Sequence, residues 1–296
     1  MKLYVLALAV SLITASFADE ALVPHEPCVM LKTDCGTVVC EIEEYVARVV
    51  AHEVPYTFEE EALKAQAVAA RTYLYYCLDN NSRSHENADV CTDASHCCGY
   101  ITEEELDKRY GDGYGAAAFE RIRAAVRATD GEVMTYGGKP LAALWHASSD
   151  GFTEDCSAVF LQSLPYLCSV ETPEETAAYT VSFTLDEAKK RLNAFGFTVN
   201  AVGIPHQTRT ASGRCRSLTL GGITLSGNTA RSVFGLRSTD FILMRHGERL
   251  YFTISSYGHG VGMSQNGANV LAKNGASYRE ILAHYYSGCD FWNTKN

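Results

Sequence analysis

Two histidines and two cysteines in a polar segment have the residue types of a metal site. His85, Cys91, His96 and Cys97 supply two imidazoles and two thiolates, the set that a closed tetrahedral zinc site uses. Their spacing is not that of a zinc finger, and Cys98 is an alternative to Cys97 as the fourth ligand. Four protein ligands leave no open position for water, so we expect a zinc ion here to be structural.

A glutamate at the end of a predicted helix could carry out acid/base chemistry. Glu53 lies in the sequence His-Glu-Val-Pro, and Pro55 restricts the preceding residue and favours a helix end there. Burial beside the apolar end of the helix would raise the pKa of Glu53 and keep it protonated near neutral pH, as a general acid requires. A solvated helix-end carboxylate is the alternative. The acidic run at 59–61 fits first-turn charges that complement a helix dipole.

Arg71 is a second candidate catalytic residue. It lies in the run Ala-Ala-Arg-Thr-Tyr of a helix rich in small residues, where an unpaired buried charge would be costly. The arginine could pair with Glu53 or bind oxygen atoms of a substrate. A structural ion pair is the alternative interpretation.

Two further blocks contain polar side chains in predicted turns. LWHASSDGFTED offers donors to a sugar or to a developing negative charge, and in GHGVGMSQ the glycines permit close approach of the backbone to a ligand. Tight-turn architecture alone is the alternative for both blocks. The candidate contacts are His146, Ser148, Ser149, His259, Ser264 and Gln265.

The elements that must position these residues are predicted to form an α+β protein. Alternating residues over 28–42 predict a strand pair, and helical spacing predicts helices over 45–53 and 58–78, the second of them central and buried. An irregular loop over 79–100 follows, which a hydrophobic face cannot hold together. A helix over 103–130 comes next, and then a hairpin whose second strand covers 141–147.

A change of texture at about residue 165 predicts an insertion. Residues 165–237 contain strands, Gly-rich turns and a short helix, typical of a self-contained α+β unit. The core then comprises 19–164 and 238–296, with its last helix over 268–286. We therefore expect a helical core with mixed β elements that form a cleft, and a smaller inserted α+β subdomain.

Composition excludes some classes of partner. The chain has 296 residues, 47% of them hydrophobic, which is enough to bury a full core. Its formal net charge of −10 makes nucleic acid and anionic lipid poor partners, and a neutral or mildly cationic substrate fits better.

The amino-terminal segment predicts export. Residues 1–18 contain one lysine, an apolar run and a Ser-Phe-Ala end typical of a signal peptide cleaved after Ala18; an uncleaved anchor is the alternative. The 11 cysteines fit an exported protein, in which they can form disulfides or bind metal. Because the number is odd, at least one cysteine is unpaired, metal-bound or intermolecular.

Four blocks of the sequence resemble the stage II sporulation protein D family, which also includes amidase-enhancer proteins. The blocks are YVARVVAHEVPYTFEEEALKAQAVAARTY, the His/Cys loop at 85–98, LWHASSDGFTED and SYGHGVGMSQNGANVLAKNGASYREILAHYYSG. The last is the most specific, because a Gly-His-Gly-Val-Gly-Met-Ser-Gln run before a helix is hard to obtain by chance. The sequence departs from the family motifs at Val54, where Met is usual, and at Ala147 and Asp150.

The resemblance implies a lytic transglycosylase that cleaves the peptidoglycan strand between N-acetylmuramic acid and N-acetylglucosamine, giving 1,6-anhydro products. Glu53 matches the glutamate of the family's Glu-Met-Pro motif. Hydrolysis normally needs two carboxylates, whereas this reaction can use one, which first gives and then takes a proton. The resemblance also implies zinc, which some members carry at positions matching His85, Cys91, His96 and Cys97.

Two other functions remain as alternatives. One is a non-catalytic subunit that binds glycan or activates an amidase, and the other is a zinc peptidase or amidase, which the complete set of four ligands disfavours. The resemblance further implies engulfment during endospore formation, with peptidoglycan glycan strands, a partner amidase and a membrane scaffold as partners. The net charge predicts no nucleic-acid partner.

Overall fold

The computed structural model describes residues 27–80, 85–94, 96–111, 113–160 and 163–295. The predicted signal peptide or anchor at 1–18 lies outside these residues. Helices and strands alternate irregularly along the chain, and the strands form several small sheets. This arrangement confirms the α+β class. Within the described residues, no helix combines the length and apolar character that a membrane span requires.

The first half of the chain begins with a hairpin and is mostly helical. In chain order its elements are β1 (Cys28–Thr33), β2 (Gly36–Glu41), α1 (Ile42–Glu53), α2 (Glu60–Asn80), β3 (Val90–Cys91), α3 (Glu103–Tyr110), α4 (Tyr114–Arg127), β4 (Glu132–Tyr136), β5 (Lys139–Pro140), β6 (Trp145–His146) and α5 (Cys156–Phe160).

The second half contains most of the strands. Its elements are β7 (Tyr179–Thr184), α6 (Leu185–Ala194), β8 (His206–Arg209), β9 (Cys215–Leu220), β10 (Ile223–Ser226), α7 (Gly227–Phe234), β11 (Phe241–His246), β12 (Arg249–Ile254), β13 (Met263–Ser264), α8 (Gln265–Lys273), α9 (Tyr278–Tyr285) and β14 (Asp290–Asn293).

Helix α1 ends where the sequence predicts. Its apolar residues recur at helical spacing and are buried. Glu43 and Glu44 lie in its first turn, where negative charge is favourable to the helix dipole. Val54, the residue before Pro55, has extended backbone angles (φ −130°, ψ 149°), as the proline ring requires. Glu53 is therefore the last residue of the helix.

Helix α2 is central and buried, as predicted. It contacts α1, α4, α8, α9 and β4. One face, with Ala67 and Ala70, belongs to a core formed with α1, and another face, with Ala65 and Ala69, belongs to a second core formed with α9. The small side chains allow both cores to pack closely against a single helix.

A third core is formed by residues between Ala188 and Ile254, so it extends beyond the insertion predicted over 165–237. The predicted insertion covers 165–237, but the third core also contains residues of β11 and β12, since β12 pairs along its whole length with β7. Alternate residues of β12 are buried, so the sheet needs this strand to complete its apolar face. Tyr166 and Leu167 pack in the second core instead.

Three predicted elements differ from the structure. The helix predicted over 103–130 is two helices, because Gly111 and Gly113 have positive φ values of 92° and 84° that end one helix before the next begins. The last helix is likewise divided into α8 and α9, with Gly275 at φ 92° between them. Of the strand predicted over 141–147 only β6 forms, and it pairs in parallel with β13 instead of completing a hairpin. This pairing places the two Gly- and Ser-rich blocks side by side.

Candidate functional site

The carboxylate of Glu53 lies between side chains from distant parts of the sequence. Its Oε2 accepts hydrogen bonds from Trp145 Nε1 at 2.8 Å and from Gln265 Nε2 at 3.3 Å. Its Oε1 lies 3.4 Å from Nδ1 of His52. Gln265 is the first residue of α8, and its amide also donates to Gln66 on α2. The helix end, β6 and α8 therefore fix one oxygen and leave the other less constrained.

The pKa of Glu53 differs from the sequence expectation. Burial raises the pKa, but hydrogen bonds from His52, Trp145 and Gln265 together lower it by more, so it lies below the ordinary glutamate value. The expected net rise is therefore wrong for the free protein. The carboxylate is ionised at neutral pH until something in the cleft changes its surroundings.

Glu53 lines a cleft with a volume of about 370 Å³. The lining residues are Glu53, Tyr73, Ala94, Cys97, Cys98, Gly99, Ala143, Leu144, Trp145, Phe160 and His259. Apolar and aromatic walls with few polar groups are usual for a ligand site. Among the described residues that line this cleft, Glu53 alone has a carboxylate.

His259 lines the cleft with Glu53, and Gln265 donates to Glu53 without being one of the lining residues. His146 and Ser149 are buried and do not line the cleft either. Val261 N–H donates to Nδ1 of His259 at 3.0 Å. His146 and Ser149 are 4% and 0% exposed, and His146 Nε2 lies 2.6 Å from Ser149 Oγ. These two side chains cannot reach a sugar in the cleft, so the structure does not support the direct contacts that the sequence suggests for them.

Burial also governs the two imidazoles. Desolvation lowers the pKa of His146 well below its ordinary value, and the nearby His259 and Arg214 add to this effect. Burial, with Arg231 and Arg214 nearby, lowers the pKa of His259 to about 4. Both rings are therefore neutral at neutral pH.

Arg71 is a structural residue. Its side chain is fully buried, and its Nε and Nη2 both donate to the carboxylate of Glu43, with the Nε bond at 2.7 Å. Nη1 donates to the carbonyl of Glu132 at 3.0 Å. The structure therefore does not bring Arg71 to Glu53 or into the cleft, and the ion pair, the alternative interpretation of the sequence, is the one observed.

We expect Arg71→Met to destabilise the fold without altering the chemistry of the cleft. The change leaves Glu43 without its cation, and breaking such a pair costs about 3 kcal/mol. Chemical denaturation should show this loss as a lower midpoint. Lys108→Met, which breaks an exposed pair with Glu104, is the control and should leave the midpoint unchanged. Equal midpoints for the two variants would contradict a structural role for Arg71.

Three residues that the sequence does not single out complete the surroundings of the site. Trp145 supplies the shortest hydrogen bond to Glu53. Glu174 is buried and accepts from Ser149 N at 2.8 Å and from the hydroxyl of Ser264, the residue that caps α8. Arg214 donates to Ser149 Oγ at 3.0 Å. Only Trp145 lies within a recognisable block, so the sequence contained no signal for the other two.

The four predicted metal ligands lie together. One ligand atom from each of His85, Cys91, His96 and Cys97 falls within 4.8 Å of all the others. The sulfur of Cys97 is 3.4 Å from Nε2 of His85 and 3.7 Å from Nδ1 of His96, and the sulfur of Cys91 is also 3.7 Å from that Nδ1. Tetrahedral zinc with ordinary bond lengths would set such sulfur–nitrogen distances at about 3.6 Å, so the donors fit this metal.

The metal loop, residues 85–98, is joined to the cleft. Cys97 contributes both to the ligand cluster and to the cleft lining. The next glycine, Gly99, packs against the ring of His52 so closely that a Cβ would collide with it. His52 in turn contacts Glu53. The conformation of the metal loop therefore bears on the surroundings of the carboxylate.

Comparison with known proteins gives a consistent family. A sequence model of the Stage II sporulation protein family (SpoIID) matches residues 36–136. The chain is 37% identical over 254 residues to the Stage II sporulation protein D of Bacillus amyloliquefaciens, covering 84% of this chain and 73% of that protein. It is also 37% identical over 258 residues to the Stage II sporulation protein D of Bacillus subtilis (strain 168), covering 83% and 73%.

A more distant similarity extends to a second kind of protein. The amidase enhancer of Bacillus subtilis (strain 168) is 24% identical over 300 residues, which cover 81% of this chain and 39% of that protein. The matched family region contains Glu53, Arg71 and the metal loop. The 37% identity to the two Stage II sporulation protein D sequences, over most of this chain and of theirs, confirms the sequence resemblance. The protein therefore belongs to the stage II sporulation protein D family.

Proposed function

We propose that the protein is a peptidoglycan lytic transglycosylase that acts on the cell wall in sporulation, with Glu53 as its acid/base. The names of the relatives support the sporulation setting. The observation that carries the activity is the cleft, in which Glu53 is the sole lining carboxylate among the described residues. One carboxylate suffices for transglycosylation, whereas hydrolysis normally needs two.

The acidic residues of the LWHASSDGFTED block do not supply a second carboxylate to the cleft. Glu154 is buried, and its oxygens accept from Thr210 Oγ1 at 2.6 Å and from Asp155 N at 2.9 Å. Asp155 accepts from Ser157 N at 2.8 Å, and Asp150 is exposed in the turn. None of the three lines the cleft with Glu53. This arrangement favours a reaction in which the same group gives and then takes a proton.

The proposed reaction begins with proton transfer from Glu53 to the glycosidic oxygen. The bond from C1 of N-acetylmuramic acid to that oxygen breaks, and N-acetylglucosamine leaves with the proton. Glu53, now a carboxylate, takes the proton of the C6 hydroxyl as its oxygen attacks C1 and closes the 1,6-anhydro ring. Glu53 is protonated again, and no water is consumed.

The hydrogen bonds of Glu53 assign a role to each oxygen. Oε2 accepts from Trp145 and Gln265, which fix its position, so we assign the mobile proton to Oε1. In the free protein the pKa of Glu53 is low, which opposes the acid step. A sugar that displaces water from the cleft strengthens the effect of burial and raises this pKa. Protonation is therefore coupled to substrate binding.

Product analysis tests the activity. Purified glycan strands without stem peptides should give fragments ending in 1,6-anhydro-N-acetylmuramic acid, lighter by one water than hydrolytic products, as measured by mass spectrometry. Reducing ends would show hydrolysis and contradict the single-carboxylate mechanism.

A second candidate function is a non-catalytic subunit that holds glycan for an amidase. The low pKa of Glu53 and the similarity to an amidase enhancer favour it. Binding of glycan without any cleavage, together with a faster reaction of an added amidase, would support this candidate. The same product analysis therefore separates the two functions.

Replacing Trp145 should shift the pH dependence of cleavage. Trp145→Phe removes the 2.8 Å donor that favours the ionised form of Glu53, so its pKa rises. Because the first step needs the protonated form, the limb on which kcat/KM falls with rising pH should move to higher pH. A pH profile of each protein measures this shift. Trp292→Phe, the same change at an exposed position that does not line the cleft, is the control, and an unmoved limb in Trp145→Phe would contradict the assignment of the donor.

We also propose that His85, Cys91, His96 and Cys97 hold a structural zinc ion. The sulfur–nitrogen distances and the donor types support zinc, and Cys97 rather than Cys98 belongs to the cluster. When bound, zinc would cross-link the loop and supply no open position for substrate.

The cellular setting is part of the proposal. We propose an exported protein, secreted or anchored through residues 1–18, that faces the cell wall. Its partners would be glycan strands, an amidase that removes stem peptides, and a membrane scaffold of the engulfment machinery. The net charge of −10 disfavours nucleic acid.

A further inference from the structure

Arg214 extends from the third core into the loops behind the cleft. It lies just before β9 and is 2% exposed. Its Nη1 donates to Ser238 Oγ at 2.8 Å and Ser256 Oγ at 3.1 Å, and its Nη2 donates to Ser149 Oγ at 3.0 Å. Each of these hydrogen bonds is to a serine hydroxyl. Burial lowers the pKa of Arg214, although the carboxylates of Asp240, Glu154 and Glu174 are near enough to favour its charge. A guanidinium without a direct ion pair is costly to bury, so the position calls for an explanation beyond packing.

The guanidinium also packs against the glycine loop, residues 258–262. Gly260 has a positive φ of 86°, and a Cβ there would collide with the Arg214 guanidinium. The side chain therefore contacts the backbone of the loop that carries His259 while it donates to the other block at Ser149. It connects both blocks to the third core.

The donor and the acceptor of each hydrogen bond around His146 can be assigned from the chemistry of its neighbours. The carbonyl of Val261 lies 3.3 Å from Nδ1 of His146, and because a carbonyl can only accept, this long contact favours the proton of the ring on Nδ1. A neutral ring then accepts at Nε2, and Ser149 must donate its hydroxyl proton there at 2.6 Å. The lone pairs of Ser149 Oγ face Arg214, which can only donate. Arg214, which can only donate, and the Val261 carbonyl, which can only accept, are the two ends of this chain of hydrogen bonds. Together they determine that Ser149 donates to His146 and that His146 donates to Val261.

The N–H of Val261, which belongs to the preceding peptide group, sets the tautomer of the second histidine. Val261 N–H donates to Nδ1 of His259, so the proton of this neutral ring is on Nε2. The backbone of Trp145 accepts a hydrogen bond from the His259 ring. Trp145 is the residue whose indole donates to Glu53. The two imidazoles therefore hold opposite tautomers, and His259 presents its tautomer beside the cleft.

We infer that Arg214 is a positioning residue that fixes the tautomer of His146 through Ser149 and, through its packing against Gly260, the conformation of the glycine loop that carries His259 beside Glu53. The low pKa values of both histidines agree with rings that each hold one proton. The effect of Arg214 on cleavage rests on the proposed function, but its effect on His146 does not.

Nitrogen-15 NMR of histidine-labelled protein tests the inference. In the full chain His146 should be neutral with its proton on Nδ1, and His259 neutral with its proton on Nε2. The signals are assigned from the spectra of His146→Gln and His259→Gln. Arg214→Met should convert the His146 signal to a mixture of tautomers, because Ser149 Oγ, no longer occupied by an arginine donor, can then accept from Nε2 as well as donate to it. The His259 tautomer is set by Val261 N–H and should not change. An unchanged His146 tautomer in this variant would overturn the inference.

Two further variants keep the result interpretable. Arg216→Met makes the same change at an exposed position two residues away and should leave both signals as in the unmodified protein. If Arg214→Met does not fold, Ser149→Ala removes the hydroxyl that donates to His146 Nε2 with only a small change in volume. This variant too should mix the tautomers of His146. A fixed Nδ1 tautomer in folded Ser149→Ala would equally overturn the inference.

Cleavage gives a separate readout. Displacement of the glycine loop should lower kcat/KM by about 10²-fold in Arg214→Met, as small misplacements in active sites do. If the protein cleaves no glycan, the proposed activity fails while the NMR result still decides the role of Arg214. If cleavage is unaffected but the His146 tautomers mix, Arg214 orders His146 without positioning the catalytic cleft, and that part of the inference is wrong.

Discussion

Glu53→Gln should abolish glycan cleavage, with kcat falling by at least about 10²–10⁴-fold. The amide keeps the size of the side chain, and its oxygen can still accept from Trp145 Nε1 and Gln265 Nε2. It cannot give a proton to the glycosidic oxygen or take one from the C6 hydroxyl. The rate of formation of 1,6-anhydro ends from purified glycan measures the loss.

Controls separate chemistry from folding and binding. Glu59→Gln makes the same change at an exposed position before α2 and should cleave at the normal rate. Glycan binding by Glu53→Gln should remain within a few-fold of that of the unmodified protein, since the walls of the cleft are unchanged. Near-normal turnover in Glu53→Gln would remove Glu53 from the mechanism and favour a role in binding alone.

Loss of the proposed zinc should have the largest effect on stability. Ligation by two thiolates and two imidazoles contributes roughly 10 kcal/mol or more in small zinc domains. The loop has few other sources of order, because its described strand, β3, is only two residues long. Cys91→Ser should therefore lower the zinc content, the melting temperature and the hydrogen-exchange protection of residues 85–98 together. Elemental analysis of protein purified without added metal measures the first of these.

The neighbouring cysteine provides the control. Cys98 lines the cleft but lies outside the ligand cluster, so Cys98→Ser should retain one zinc ion per chain. Slow chelation that disorders the loop before the core would agree with a structural ion. A preparation without zinc, with Cys91 in a disulfide with Cys97 or Cys98, would refute the metal proposal and leave Glu53 untouched. Loss of activity with the fold unchanged would indicate a catalytic zinc.

Local patterns predict the elements that carry the site. The helix end at Glu53 follows from helical spacing and Pro55, and α2 follows from its composition. The ligand cluster also depends on a short segment of sequence, so residue types alone are sufficient to find it. Glycines between helices are the local signal that would have divided the helices predicted over 103–130 and 268–286.

Properties that depend on distant partners could not be predicted. Of the three donors that lower the pKa of Glu53, His52 is adjacent, but the other two are 92 and 212 residues away in sequence. The carboxylate that pairs with Arg71 is 28 residues away, on another helix. Ser149 Oγ accepts a hydrogen bond from Arg214, which is 65 residues away in sequence. Periodicity and composition describe single elements, and these contacts arise only when several elements pack together.

The position of α2 between two cores limits how its sequence can vary. Most helices have one face in solvent that tolerates many substitutions, but here Ala65 and Ala69 face one core while Ala67 and Ala70 face the other. A larger side chain at any of the four would overpack a core, at a typical cost of about 1–3 kcal/mol. In a saturation mutagenesis screen for folded protein, intolerant positions should therefore surround most of the circumference of this helix. Its sequence can drift far less than that of an ordinary amphipathic helix.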